Sequence, residues 1–316
     1  MLGAVVGDIV GTFYGIDESK SKDFQLVDSH CSLTDDSVMT FAVAEALLNG
    51  AKPDDFAEAI EKYKKLYRDE KGAAITDWGN GIATRVSPCA WFAGSLDEAE
   101  ELAERSARST HPHPDDIRGA KAISAAIYMA RTGKSKAEIK DYIDGRYIYY
   151  LSRTVDDIRP DYPKKVSGRD PVVEALIVFL ESKNFENAIS KAISLGGRMD
   201  KVCVITGSLA EAFYRIPPHL TRPAYRFIDE DLKIIIWDWI DAGKPLGFDL
   251  NQSIYYKSAL EKRLDSHIEI RFGYSDDGEM LAPDVIVTDS MSDIFWKRFR
   301  LIRRKGVYSH VRRRYR

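Results

Sequence analysis

Three cysteines among 316 residues, Cys31, Cys89 and Cys203, are odd in number, far apart and outside any CxxC pair. A disulfide framework and a structural zinc site are therefore not expected, and a reducing, cytoplasmic compartment is the natural one. No apolar run approaches the ~20 residues that a membrane span needs, so no membrane partner is expected. The first fifteen residues have no basic start and carry Asp8, against a signal peptide. Also missing are GxxxxGK followed by Ser or Thr, GxGxxG after a strand, GxSxG and HExxH. These absences disfavour the common nucleotide-binding folds and the usual serine hydrolases.

What is there is a well-stocked globular chain: 44% apolar, 11% aromatic and 30% charged. That excludes a disordered or fibrous chain. The length suits about two domains, or one large domain with an appendage. The net charge of -3 hides an asymmetry, because Trp296 to Arg316 holds ten Lys and Arg and no acid. The rest carries 36 basic against 49 acidic residues, a balance of -13. A basic tail on an acidic body either docks on that body or meets a polyanion such as nucleic acid. Phe299, Tyr308 and Tyr315 among its arginines suit base stacking beside phosphate contacts.

Helical patterning covers most of the first 240 residues. Ser37–Leu48, Pro53–Tyr67, Leu96–Arg108, Asp115–Arg131, Pro171–Glu181, Phe185–Leu195, Val202–Tyr214 and Ala224–Ile240 are the expected helices. Ile268–Phe272 and Asp284–Val287 are expected strands around an Asp276-Asp277-Gly278 turn. The fold class is thus an all-α body over residues 1–245 with a small α+β basic appendage over 246–316. Glycines 3, 7, 11 and 15 recur every four residues, a bare groove on one helix face suited to close packing against another helix.

Four segments have residues that could do chemistry. Thr34-Asp35-Asp36-Ser37 puts two adjacent carboxylates at a helix start, which suits either an N-cap with acids on the helix dipole or metal or substrate binding. Gly196-Gly197-Arg198-Met199-Asp200-Lys201 sets a carboxylate between two cations after a glycine turn, or is simply a capped helix start. Gly79-Asn80-Gly81 through Arg85 and Pro88 suits a loop that approaches a ligand closely. In Thr110-His111-Pro112-His113-Pro114 the histidines have no third ligand nearby, so loop structure is favoured over a metal site.

Taken in order, Gly3-Ala4-Val5-Val6-Gly7-Asp8 with Gly11, Thr34-Asp35-Asp36-Ser37-Val38-Met39-Thr40, Gly79-Asn80-Gly81 with Arg85 and Pro88, Thr110-His111, and Leu195-Gly196-Gly197 with Asp200 and Gly207-Ser208-Leu209-Ala210 resemble the ADP-ribosylglycohydrolase family. The resemblance covers residues 1 to about 218, and residues 247 to 316 fall outside it. It implies an all-helical fold with a central cleft. It also implies hydrolysis of the bond between the distal ribose of ADP-ribose and an acceptor, beside two Mg2+ or Mn2+ ions. In the family pattern Thr-Asp-Asp supplies metal ligands from one side, and Gly-Gly-Asp-x-Asp-Thr/Ser supplies them from the other. A glutamate shortly after the first helix assists.

Carried onto this sequence, Asp35 and Asp36 become the candidate catalytic residues. Thr34, Gly79, Asn80, Gly81, Arg85, Thr110, His111, Gly196, Gly197, Arg198, Asp200 and Lys201 become candidate ligand-binding residues. Thr34, Asp35, Asp36 and Asp200 are the metal ligands if the family site survives. The sequence departs from the pattern where the chemistry sits: Arg198 replaces the first aspartate, Lys201 the Thr/Ser, and Gly15 the glutamate, for which Asp17 or Glu18 could substitute. Five carboxylates around two divalent ions leave -1. Asp35, Asp36 and Asp200 against Arg198 and Lys201 leave the same -1. The preferred expectation is a cleft held by salt bridges and no cofactor, binding an ADP-ribose-type ligand with weak or lost hydrolysis. The alternatives are one metal on Asp35, Asp36 and Asp200, an active hydrolase with a rebuilt site, or a nucleic-acid partner acting through its tail.

Overall fold

The computed structural model describes residues 1–16, 33–67, 81–162, 171–197 and 199–248, and short strands at 268–271, 284–287 and 312–315. The chain divides into two compact units, Met1–Phe248 and Asp249–Arg316.

The described elements of the first unit are all helices, joined by turns and loops. Three helices form its centre: α1 (Leu2–Ile16), α2 (Asp35–Asn49) and α11 (Asp200–Tyr214). From Asp36 to Ala44 every residue of α2 is buried, and so is every residue of α11 from Val202 to Ala212. A helix that is apolar or sealed all round belongs in the middle of a core. α1 and α11 form the most extensive helix pair. The glycine row explains it. A Cβ on Gly7 would collide with the carbonyl of Cys203, one on Gly3 with that of Gly207, and one on Gly11 would lie 2.9 Å from the Cα of Asp200. The groove expected from the four-residue glycine spacing is therefore filled by the α11 backbone.

Around this centre lie α3 (Pro53–Leu66), α4 (Ser87–Phe92), α5 (Leu96–Arg108), α6 (Pro114–Arg131), α7 (Lys136–Tyr147), α8 (Val155–Ile158), α9 (Val172–Glu181) and α10 (Phe185–Ile193). The unit ends with α12 (Pro218–Phe227) and α13 (Glu230–Asp241). α7 is absent from the helices expected above, although its signal is local. Ser135 accepts from the Glu138 amide at 3.2 Å, and Glu138 accepts from the Ser135 amide at 2.9 Å, a reciprocal capping box. The single helix expected over Ala224–Ile240 is in fact two. Ile228 is extended (φ -78°, ψ 126°) and Asp229 starts α13. Acids at 229–231 favour a new helix N-terminus there, and Arg226 favours a helix end before it.

In the second unit, β1 (Ile268–Arg271) pairs antiparallel with β2 (Asp284–Val287), and the expected Asp276-Asp277-Gly278 turn lies outside the described residues. The tail supplies a third strand that periodicity did not suggest. β3 (Arg312–Tyr315) pairs parallel with β2, Arg312 opposite Asp284 and Tyr315 opposite Val287.

Candidate functional site

The site is built on the N-terminus of α2. Thr34 is its N-cap, accepting from the Asp36 amide at 3.3 Å, and Asp35 and Asp36 lie in the first turn, where the helix dipole favours anions. Asp8 of α1 fixes this turn. It is fully buried and accepts from the Thr34 amide at 2.9 Å, the Thr34 hydroxyl at 2.6 Å and the Ser37 hydroxyl at 2.5 Å. Burial and the nearby Asp36 charge push the Asp8 carboxyl up to about 7, although hydrogen bonds from Ser37 and Thr34 oppose the rise. Asp8 stands in the family motif but was not singled out in the sequence as a site residue. Thr84 was also missed, inside the Gly79–Pro88 segment. Its hydroxyl lies 2.6 Å from Asp36 Oδ1 and 2.9 Å from the Gly81 carbonyl, and its single proton serves one at a time. A Cβ on Gly81 would strike the Asp36 carboxylate, so that position admits only glycine without rearrangement.

Asp200 and Lys201 enter from α11, placed there by the α1 groove. Burial lifts the Asp35 carboxyl to about 6, the charges of Asp36 and Asp200 add to the rise, and the Lys201 ammonium opposes it. Asp36 is likewise held above the usual carboxylate range by burial. Lys201, the Thr84 hydroxyl and Arg85 pull it back, and Asp200 adds to the rise. Gly196 and Gly197 have φ of +69° and +66°, left-handed values that let the chain turn tightly into α11.

Arg85 lies beneath the cluster, 3% exposed, with Nη2 donating to the Ser106 carbonyl at 2.8 Å and to the Thr110 hydroxyl at 2.6 Å. Thr110 Oγ1 is 2.9 Å from His111 Nδ1. Burial, Arg85 and Lys201 hold the His111 pKa below its usual value. The arrangement that satisfies all three groups has Arg85 donating to Thr110 and Thr110 donating to a neutral His111, leaving Nε2–H as the outward donor. His113 instead caps α6, accepting from the Asp115 amide at 3.2 Å, in keeping with the loop reading of that histidine pair.

The structure thus gathers Thr34, Asp35, Asp36, Asp200 and Lys201, with Gly81, Arg85, Thr110 and His111 alongside. Gly79, Asn80 and Arg198, and the substitutes Asp17 and Glu18, lie outside the described residues. Among the described residues, no three His, Cys, Asp or Glu side chains are grouped so that they could hold a metal ion. No helix among them is long and apolar enough to cross a membrane.

The family model for ADP-ribosylglycohydrolases matches residues 1–250. The chain belongs to that family. An uncharacterized protein of Archaeoglobus fulgidus is 27% identical over 217 residues, which is 57% of this chain and 70% of its own length. A solved ADP-ribosylglycohydrolase-related protein complex has a similar fold. Its TM-score is 0.52 at 23% identity, over 72% of this chain and 95% of the solved one.

Proposed function

We propose that this family member recognises ADP-ribose or a related nucleotide at the Asp35–Asp36–Asp200–Lys201 cluster, with weak or lost hydrolysis. The observation that carries the reading is the Lys201 ammonium, whose charge favours the ionised forms of both Asp35 and Asp36. Lys201 stands where the family pattern has a hydroxyl. A cation of the chain itself offsets the carboxylates. In such a site Asp35 and Asp36 accept hydrogen bonds from ribose hydroxyls, and His111 Nε2–H, held by Thr110 and Arg85, donates to an oxygen of the ligand. Titration calorimetry with ADP-ribose tests binding, and single-turnover assays on ADP-ribosyl-arginine and ADP-ribosyl-serine test chemistry. Saturable binding that Asp36→Ala abolishes, without turnover, is the expected pair of results. Absence of binding, or turnover at ~1 s⁻¹ that depends on Asp35 and Asp36, overturns the reading.

One observation favours an active enzyme as a second reading. An Asp35 carboxyl near 6 is poised for general acid–base work on water at the anomeric carbon. A pH–rate profile that inflects near pH 6 and loses its inflection in Asp35→Asn would support it.

We further propose that the basic tail contacts nucleic-acid phosphates. The support is its charge of ten Lys and Arg without an acid. Deleting residues 297–316 is expected to abolish duplex binding, whose log affinity in the intact chain falls with log salt by ~0.9 per neutralised phosphate. Binding that survives the deletion places the contact elsewhere.

A further inference from the structure

Away from the carboxylate cluster, α5, α6 and the end of α7 border an open surface groove of about 350 Å³, lined by Arg108, Arg118, Lys121, Arg146, Pro112 and Ile117 among others. That volume lies at the lower end of small-ligand sites. Its lining holds four cations and one carboxylate, Glu104. Glu104 is shared between Arg108 at 2.8 Å and Lys121 at 2.7 Å, and the two cations hold its pKa below the usual value. Arg118 pairs with Asp115 at 2.9 Å and lies over the Tyr149 ring at 5.2 Å. Arg146 stands 3.6 Å from Glu100, whose carboxylate already accepts the Tyr142 hydroxyl at 2.5 Å. Counting Glu104, Asp115 and Glu100 against the four cations, the neighbourhood keeps an excess positive charge.

The guanidinium forks of Arg108, Arg118 and Arg146 match the oxygens of a phosphate, and the wall of Pro112, Pro114 and Ile117 offers apolar surface to whatever bears it. We propose that this groove is a second site that binds a small phosphoester or diphosphate anion. It is tied to the first through the segment Thr110–Pro114. Thr110 and His111 face the Arg85 network, and Pro112 and Pro114 line the groove.

The test is calorimetric titration of the full chain with inorganic pyrophosphate at low salt. Three variants are compared: Arg118→Ala with Arg146→Ala, the milder Arg146→Gln alone, and Asp36→Asn. Melting curves check that each is folded. Saturable 1:1 binding is expected, weakened tenfold or more in the double variant, several-fold in Arg146→Gln and unchanged in Asp36→Asn. The affinity should fall as salt rises, because these side chains are half-exposed. Absence of saturable binding overturns the proposal. So does binding that the two arginine variants leave unchanged, or that Asp36→Asn removes. ADP-ribose binding at the carboxylate cluster is read separately, so either proposal can fail alone.

Discussion

The helix starts that meet at the site, those of α2 and α11, are built in opposite ways. At α2 local preference and tertiary structure agree. Thr34 caps, Asp35 and Asp36 suit the positive end of the dipole, and Asp8 ties the turn to α1. At α11 they agree only in part. Met199 makes no side-chain cap, and the first turn joins Asp200, which suits the dipole, to Lys201, a cation that the dipole disfavours. A lysine held against its local field is held by something else, and here that is the paired charge of Asp35 and Asp36. One end of the site is thus fixed by its own helix, and the other by what it faces.

The sharpest way to break this arrangement is to push the two ends apart. Gly7→Ala places a methyl group against the Cys203 carbonyl, a backbone atom that cannot swing away. The expected loss is about 3 kcal/mol or more in urea unfolding. Gly119→Ala is the control. Its added Cβ would meet side-chain atoms, a Val172 methyl at 3.1 Å and the Tyr149 hydroxyl at 3.8 Å, and it should cost far less. Equal losses would mean that the glycine groove does not position α11.

The next effect is on pH dependence. Asp8 rises to about 7 and Asp35 to about 6 in the folded chain, both above their unfolded values. A carboxyl whose folded pKa is raised contributes stability below its unfolded pKa, and that stability is lost as pH rises through the folded value. In metal-free buffer the unit should therefore be more stable near pH 5 than near pH 8, by an amount on the order of a few kcal/mol. Asp8→Asn should remove much of that slope. A wild-type profile flat between pH 5 and 8 would contradict the buried cluster.

These features differ in how far the chain alone revealed them. The glycine row and the Thr34 cap follow from spacing, because each depends on residues close in sequence, whereas the grouping of Asp35 and Asp36 with Asp200 was expected only from the family resemblance. The helices of the first unit were likewise legible where caps and periodicity agreed. The roles of Asp8 and Thr84 were hidden, since each acts on a residue 26 to 48 positions away. β3 was hidden for a different reason. Arg312-Arg313-Arg314 reads as a solvated charge run, and only its partner β2 makes it a strand. The break at Ile228 lost to a continuous apolar pattern that outweighed the acids marking a new start.

A smaller effect sharpens the contrast at α11. Arg198→Asp with Lys201→Thr returns the family residues to a site where Asp35, Asp36 and Asp200 interact electrostatically. The variant should acquire Mg2+ or Mn2+ binding. At a hundredfold excess of ion over Kd the stabilisation is ~2.7 kcal/mol, a rise of roughly 5–10 °C in Tm for a unit of this size. No metal-dependent rise would mean that the backbone has left the family geometry along with the side chains.

The smallest effect is expected in the unaltered chain. If Lys201 supplies the positive charge that a divalent ion supplies in the family pattern, that charge is present at every metal concentration. Adding EDTA, or 5 mM Mg2+, should then shift its Tm by less than about 1 °C, because only an ion bound to the folded state moves the equilibrium. The measurement is informative because the two charge arrangements balance equally well on paper and differ only in whether the cation is exchangeable. Proteins with the same net site charge but an exchangeable cation lose stability on chelation. A drop of several degrees in EDTA, restored by Mn2+, would show that the lysine yields to a metal ion and that α11 keeps the family's site after all.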